Sequence, residues 1–299
     1  MISRHKLAAC GLLLIATLWG ASFIVVKEAI RSVDPATFLA ARFTIAALMF
    51  GVFLRRSHFN RLTIVNGAFV GAALAAGYWL QTTGLQSTTA SKSAFLTSLS
   101  VVFVPAWELI AGRTRLRAAL IAAAVIALAG TFLMVEGWRE TIAFGDLLTI
   151  LCAIAFAAHL ILATRFSQST EPLTLAFLQV TTVALITLPF ADLPALVALR
   201  WPTWLAIVGT ALVNTTLSFF ILMWAQRHTS ASEAVVLLSI EPVAALVMAA
   251  VLISELPTIA GLIGACLILV SVFLAQRPTR HPAETAWLRA PKNSRFGNA

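Results

Sequence analysis

The chain has 299 residues, of which 60% are hydrophobic and 11% charged, and a formal net charge of +9. A soluble domain of this size could not cover so apolar an interior with polar surface, which excludes a water-soluble enzyme and leaves a multi-pass membrane protein. The basic residues lie in short runs between apolar blocks and in the tail, the pattern of topology signals, and this argues against a nucleic-acid partner.

Apolar blocks of spanning length fall at roughly 7–26, 36–54, 64–85, 93–111, 117–135, 143–164, 173–190, 203–224, 234–253 and 257–275, which predicts ten helices in the lipid bilayer. The first follows Arg4-His5-Lys6 and resembles a signal peptide, but it is long enough to span and is read as a retained helix. Asp34-Pro35, Thr170-Glu171-Pro172, Trp201-Pro202-Thr203 and Glu255-Leu256-Pro257 supply turn and cap chemistry at the joints. Cys10, Cys152 and Cys266 sit in separate apolar blocks without CxxC spacing and read as small core residues; neither metal nor cofactor is expected. Residues 276–299 carry Pro278, Pro282 and Pro291 with several basic residues and are expected to form a disordered basic cytoplasmic tail.

With the N-terminus in the cytoplasm, fifteen Lys and Arg fall on the inner side, among them Arg55, Arg56, Arg113, Arg115 and Arg117. Only Lys27, Arg31, Lys92, Arg139 and Arg200 fall outside, so both termini are expected to be cytoplasmic, in a bacterial-type inner membrane.

The chain also contains a copy of itself. A shift of 141 residues lays Thr88-Thr89-Ala90-Ser91 on Thr229-Ser230-Ala231-Ser232, Leu96 on Leu237 and Ser98 on Ser239. It also carries Ala124, Leu128, Phe132 and Leu133 onto Ala265, Leu269, Phe273 and Leu274, although composition bias competes with duplication as the source of these apolar matches. Residues 1–136 and 143–275 then form two repeats of five helices each, and because five is odd the second copy must enter the membrane from the opposite side. The expected fold is therefore an all-α membrane protein of ten helices, in two inverted repeats around a central cavity.

Trp19-Gly20-Ala21-Ser22-Phe23 with Lys27, Pro35 followed by Arg42, Gly84 leading to Thr88–Ser91 and Pro105, and Glu241-Pro242 with Glu255 and Gly261 resemble the drug/metabolite transporter superfamily, EamA family. The resemblance covers about residues 7–275 and implies inverted five-helix repeats around a central cavity and export of amino acids and other small metabolites. The chain departs from the pattern at the end of helix four, where Arg113 and Thr114 stand in place of the acidic residue most members have.

Ionisable and polar residues inside the apolar blocks are the candidate site. Pro242 and Pro105 lack an amide hydrogen and are expected to kink helices nine and four, a turn apart in the repeat register, which would make the halves functionally unequal. Glu241, beside the first kink, is a candidate for binding a substrate amine or taking a proton as coupling ion; capping a freed amide or pairing with Arg42 is the structural alternative. His159 in helix six is a second proton or carboxylate candidate, opposite Ser22 under a shift of 137, or else a satisfied packing residue. Tyr78 and Gln81 share a face of helix three, and Asn214 and Ser218 a face of helix eight. With Ser98, Gln179 and Ser239 they would hydrogen-bond a small zwitterion, or bridge helices.

Trp19 lies too deep for an interfacial belt and would join Phe23 and Tyr78 in an aromatic wall. Arg42 either meets a substrate carboxylate or, the reading the sequence favours, snorkels to the outer surface. Thr88–Ser91 and Thr229–Ser232 are expected to cap helices four and nine.

The function expected is secondary active or facilitative export of small polar metabolites, amino acids first, by alternating access. A multidrug or other metabolite transporter (nucleoside, sugar or organic cation) of the same fold is the alternative. An intramembrane enzyme finds no HExxH or GxSxG, a sensor has no signalling domain, and the absence of a Walker motif excludes direct drive by ATP. Ala123, Gly130, Gly261 and Gly264 would serve either a homodimer or close internal packing.

Overall fold

The computed structural model describes residues 3–54, 59–111, 118–134, 143–253 and 258–275. Glu255, Arg113, Thr114 and the tail from 276 lie outside this set. Among the described residues every regular element is helical: α1 (Arg4–Ala29), α2 (Pro35–Phe53), α3 (Arg61–Gly84), α4 (Ala90–Ile110), α5 (Ala118–Met134), α6 (Phe144–Ser167), α7 (Pro172–Phe190), α8 (Trp201–Ala225), α9 in two pieces (α9a, Ala231–Leu238; α9b, Glu241–Ile253) and α10 (Ile259–Ala275), with a short helix at Leu193–Ala198 joining α7 to α8. Eight of these are long and apolar enough to cross a bilayer; α5 and α10 are equally apolar but have 17 residues each. Large apolar side chains such as Val52, Ile110, Val125 and Phe273 stand exposed on the outside of the bundle, which suits contact with lipid and not with water.

The helices begin where cap chemistry allows. Asp34 accepts from Thr37 N at 3.0 Å ahead of Pro35, and Glu171 accepts from Thr174 N at 2.9 Å ahead of Pro172, a proline in the first turn costing no hydrogen bond. Thr89 accepts from Lys92 N at 3.1 Å and Ser230 from Glu233 N at 3.2 Å, so the two residues related by the 141 shift cap α4 and α9 in the same way.

Of the two expected kinks, the one at Pro242 is found, just before the proline, and the one at Pro105 is not. α4 breaks at Leu99, between Ala90–Ser98 and Ser100–Ile110, and runs through Pro105 without interruption. α9 breaks at Ser239-Ile240, which leaves Pro242 in the first turn of α9b, where a missing amide hydrogen is harmless. Each break follows a serine whose hydroxyl turns back onto the chain: Ser98 donates to Phe95 O and Ser239 to Val236 O, both at 2.6 Å. Serine competing for local carbonyls in this way loosens a helix. The breaks are therefore equivalent in the repeat register, not a turn apart as the prolines suggested.

Packing is tightest where glycines let backbones meet. A Cβ added to Gly264 of α10 would lie 2.3 Å from the Gly130 carbonyl oxygen of α5, so these small residues close an internal crossing. A Cβ on Gly20 of α1 would lie 2.2 Å from the Glu241 carbonyl oxygen, which presses α1 onto the start of α9b. Beyond these, α3 packs on α6 and α7, α2 on α7 and α8, α1 on α8 and both pieces of α9, and α4 on α6.

Candidate functional site

α1, α3, α4, α6, α8 and α9, with Arg42 reaching in from α2, enclose a cavity of about 90 Å3. That is several times the roughly 10–15 Å3 one water needs. Trp19, Tyr78, Gln81, Ser98, His159, Ser239 and Glu241 all line it, so seven of the ten expected binding residues come together from five different helices. Ser22 lines it as well, as the shift that paired it with His159 implies.

Three expected residues do not line it. Gln179 sits one layer behind, fully buried, with its Oε1 2.7 Å from His159 Nε2, so it holds the imidazole from the rear. Asn214 donates from Nδ2 to Leu18 O at 2.7 Å, while Trp19 Nε1 donates to Asn214 O at 2.9 Å, a reciprocal tie between α1 and α8. Ser218 donates to Val213 O at 2.9 Å. The reason is local: Thr210–Leu217 is a π-helix, whose wider turns shift the inward face and bring Phe219 to the cavity instead.

The aromatic wall is larger than the sequence suggested. Tyr78 packs edge-on against Phe43, Phe156 and Phe219, with ring centroids 5.0, 5.3 and 6.3 Å away, and Phe219 also meets Trp19 at 5.7 Å and His159 at 6.0 Å. Phe23 lines the same space. Phe156 and Phe219 escaped notice; the signal available for Phe156 was its position three residues before His159, one helical face with it. With Leu74, Leu85, Leu160, Leu222, Val235 and Leu238 the exposed lining is mostly apolar in area, with hydroxyl, amide, imidazole and ionisable groups set into it.

Two of those groups can carry a charge. Arg42 does not snorkel: only 2% exposed, it turns into the cavity, donates from Nε to Thr215 Oγ1 at 2.8 Å and lays its guanidinium 5.0 Å from the Tyr78 ring centroid and 5.4 Å from that of Phe43. Aromatic faces attract a cation held over them, and this partly offsets its removal from water. Glu241 opens α9b at the break and is partly exposed to the cavity. Among the described residues no donor reaches its carboxylate, and it forms no ion pair with Arg42 or any other cation. A buried charge without a partner is costly, and where one persists a function is the default explanation.

Both ends of the bundle are closed by polar clusters. At the end where α1 finishes, Lys27 Nζ donates to Leu85 O at 2.9 Å and to Thr88 O, Thr88 Oγ1 donates to Asp146 Oδ1 at 2.6 Å, and Lys92 Nζ pairs with Asp146 Oδ2 at 2.8 Å. At the other end His5 Nε2 stands 2.7 Å from Glu233 Oε1, Ser232 donates to Glu108, and Thr164 donates to Gln226. The shift of 141 relates Lys92 to Glu233, so equivalent positions at the two ends carry opposite charge, each facing a partner on the helix that opens the other repeat, Asp146 for Lys92 and the His5 imidazole for Glu233.

Comparison with known proteins agrees with this architecture. An uncharacterized transporter of Archaeoglobus fulgidus is 32% identical over 272 residues, covering 91% of this chain and 86% of the relative. A second uncharacterized transporter of that organism is 24% identical, over 86% of this chain and 93% of its own length. A protein of known crystal structure superposes with a TM-score of 0.71 at 20% identity, covering 91% of this chain and 96% of that one, and so shares the fold. The EamA-like transporter family matches twice in succession, over residues 6–136 and 143–276. Two full-length halves each fitting one family description, on an all-helical bundle with eight spanning helices, settle the kinship: the chain belongs to the EamA-like transporter family.

Proposed function

We propose that the protein is a secondary active or facilitative transporter that exports small polar metabolites, amino acids foremost, by alternating access through this cavity. The observation that carries the proposal is the pair Arg42 and Glu241: side chains that ionise with opposite sign, neither matched by a counter-charge among the described residues, lining one cavity. A zwitterion supplies both missing partners at once, its carboxylate meeting the guanidinium and its ammonium meeting the carboxylate, while the phenyl and leucyl wall receives the rest of the molecule. When the ammonium is gone, a proton on Glu241 removes the same unbalanced charge, which makes Glu241 the coupling residue.

Alternating access follows from ten spans in two inverted repeats, with both termini in the cytoplasm of a bacterial-type cell. The packing partners support this: exchanging each helix with its counterpart five later turns α1·α8 into α3·α6, α3·α7 into α2·α8, and α1·α9 into α4·α6, all of them contacts in the bundle. The two halves can then rock about α5 and α10, which pack on each other, and open either polar cluster in turn. Because Gly130 and Gly264 serve that internal crossing, the mechanism needs no second copy of the chain.

An organic cation is the second reading, favoured by the rings of Trp19, Tyr78, Phe156 and Phe219 in a cavity that also holds Glu241. Efflux from proteoliposomes separates the two. Labelled leucine or phenylalanine leaving faster than from protein-free vesicles supports the amino-acid reading; efflux of tetraphenylphosphonium alone supports the cation; folded protein that moves neither sinks both.

A further inference from the structure

We infer that Thr215 is a positioning residue that aims Arg42 at the substrate's carboxylate, and that the wide turn of α8 exists to place it. The inference rests on the amino-acid reading of the cavity and adds to it a residue outside the lining. Threonines elsewhere in the bundle bond back to the carbonyl four residues earlier, as Thr17 does to Leu13 O, Thr131 to Ala127 O and Thr164 to Leu160 O. Within α8 the hydroxyls of Thr215, Thr216 and Ser218 instead reach the carbonyls of Thr210, Ala211 and Val213, five residues back, at 3.1, 2.9 and 2.9 Å. That spacing belongs to the π-helix, a rare form found mostly at functional sites.

The consequence for Thr215 is a hydroxyl with both roles fixed. Fully buried, it donates to Thr210 O and accepts from Arg42 Nε at 2.8 Å. A guanidinium has five N–H donors in a rigid plane. Here Nε is spent on Thr215, and the guanidinium carbon lies over the rings of Tyr78 and Phe43. With Nε taken, the sideways fork that would use it is closed, and a carboxylate is met by Nη donors alone. The Trp19 indole, bonded to Asn214 O, holds the same stretch of α8 from the α1 side and keeps the aim fixed.

The experiment measures equilibrium binding to the full-length protein in nanodiscs, with L-leucine and isopentylamine, the same skeleton without the carboxylate. Thr215→Val keeps the volume and loses the acceptor; we expect it to weaken leucine about tenfold, the scale of one charge-assisted hydrogen bond, to leave isopentylamine within about twofold, and Thr215→Ser to restore leucine. Thr216→Val removes a neighbouring five-back hydroxyl that does not touch Arg42 and leaves both affinities unchanged. Should Thr215→Val not fold, Thr215→Cys, a weaker acceptor of similar size, is read in the same way. Equal loss of both ligands, or no loss of leucine, overturns the role of Thr215 while leaving the amino-acid reading standing. Wild-type protein that binds neither compound overturns both.

Discussion

Replacing Glu241 by glutamine is expected to move stability and affinity in opposite directions. The amide has the size of the carboxylate and removes one charge that no donor in the described structure compensates. Measured at alkaline pH, where the empty site holds the carboxylate without a proton, relieving this largely desolvated, unpaired charge returns about 1–3 kcal/mol, which for a chain of this length raises the melting temperature by several degrees, at about 2–4 °C per kcal/mol. A ligand ammonium loses a charge-assisted hydrogen bond of about 1.5–3 kcal/mol, so leucine should bind roughly 10- to 100-fold more weakly. The assay is a melting curve with and without ligand, together with a binding isotherm, on the same detergent-solubilised protein. A structural carboxylate gives the reverse, a lower melting temperature and unchanged affinity, and that result would refute the reasoning.

Four further outcomes are expected. With labelled leucine inside proteoliposomes, acidifying the outside should speed efflux by the wild type and leave Glu241→Gln indifferent, since only the carboxylate can exchange the ligand for a proton. Gly264→Val should lower the melting temperature, because a Cβ there already lies 2.3 Å from the Gly130 carbonyl oxygen and 2.9 Å from Met134 N, backbone atoms that cannot step aside; overpacking of this kind costs about 1–3 kcal/mol. Gly20→Ala should slow transport more than it weakens binding, because its Cβ would wedge α1 from the start of α9b at 2.2 Å from Glu241 O; an unchanged rate would argue against that contact moving in the cycle. For the pair Lys92 and Asp146, whose side chains are 12% and 3% exposed, a double-mutant cycle of Lys92→Met and Asp146→Asn should give a coupling of about 1–3 kcal/mol in thermal stability.

Much of this was legible in the residues. The shift that paired Thr89 with Ser230 foretold matching caps, because hydroxyl chemistry at a helix end is local; it also paired Ser98 with Ser239, where the matching breaks lie, although the breaks were read from proline. Reading the breaks from proline alone misplaced the one in α4: Pro105 removes a donor but the helix continues, whereas the serine six residues before Val104 diverts a carbonyl and ends it. The π-helical stretch was not legible, since its register depends on Arg42 arriving from α2, a partner 173 positions away in the chain. Counting 3.6 residues per turn through that stretch pointed Asn214 and Ser218 at the cavity, and the wider turn gave the place to Phe219. For Arg42 itself, distance from the helix end suggested a route to water; the rings of Tyr78 and Phe43 and the Thr215 hydroxyl provide a nearer resting place inside.

The central claim is a single polar chamber reached in turn from the two faces of the membrane. Ser22 lines the cavity from α1, and a Ser22→Cys variant, made after replacing Cys10, Cys152 and Cys266, places one small thiol there. Labelling with a membrane-impermeant thiol reagent, applied to either face of oriented vesicles, reads its access directly. The account predicts labelling from both faces, slowed from both by leucine; labelling from neither face, or from one face regardless of ligand, contradicts it.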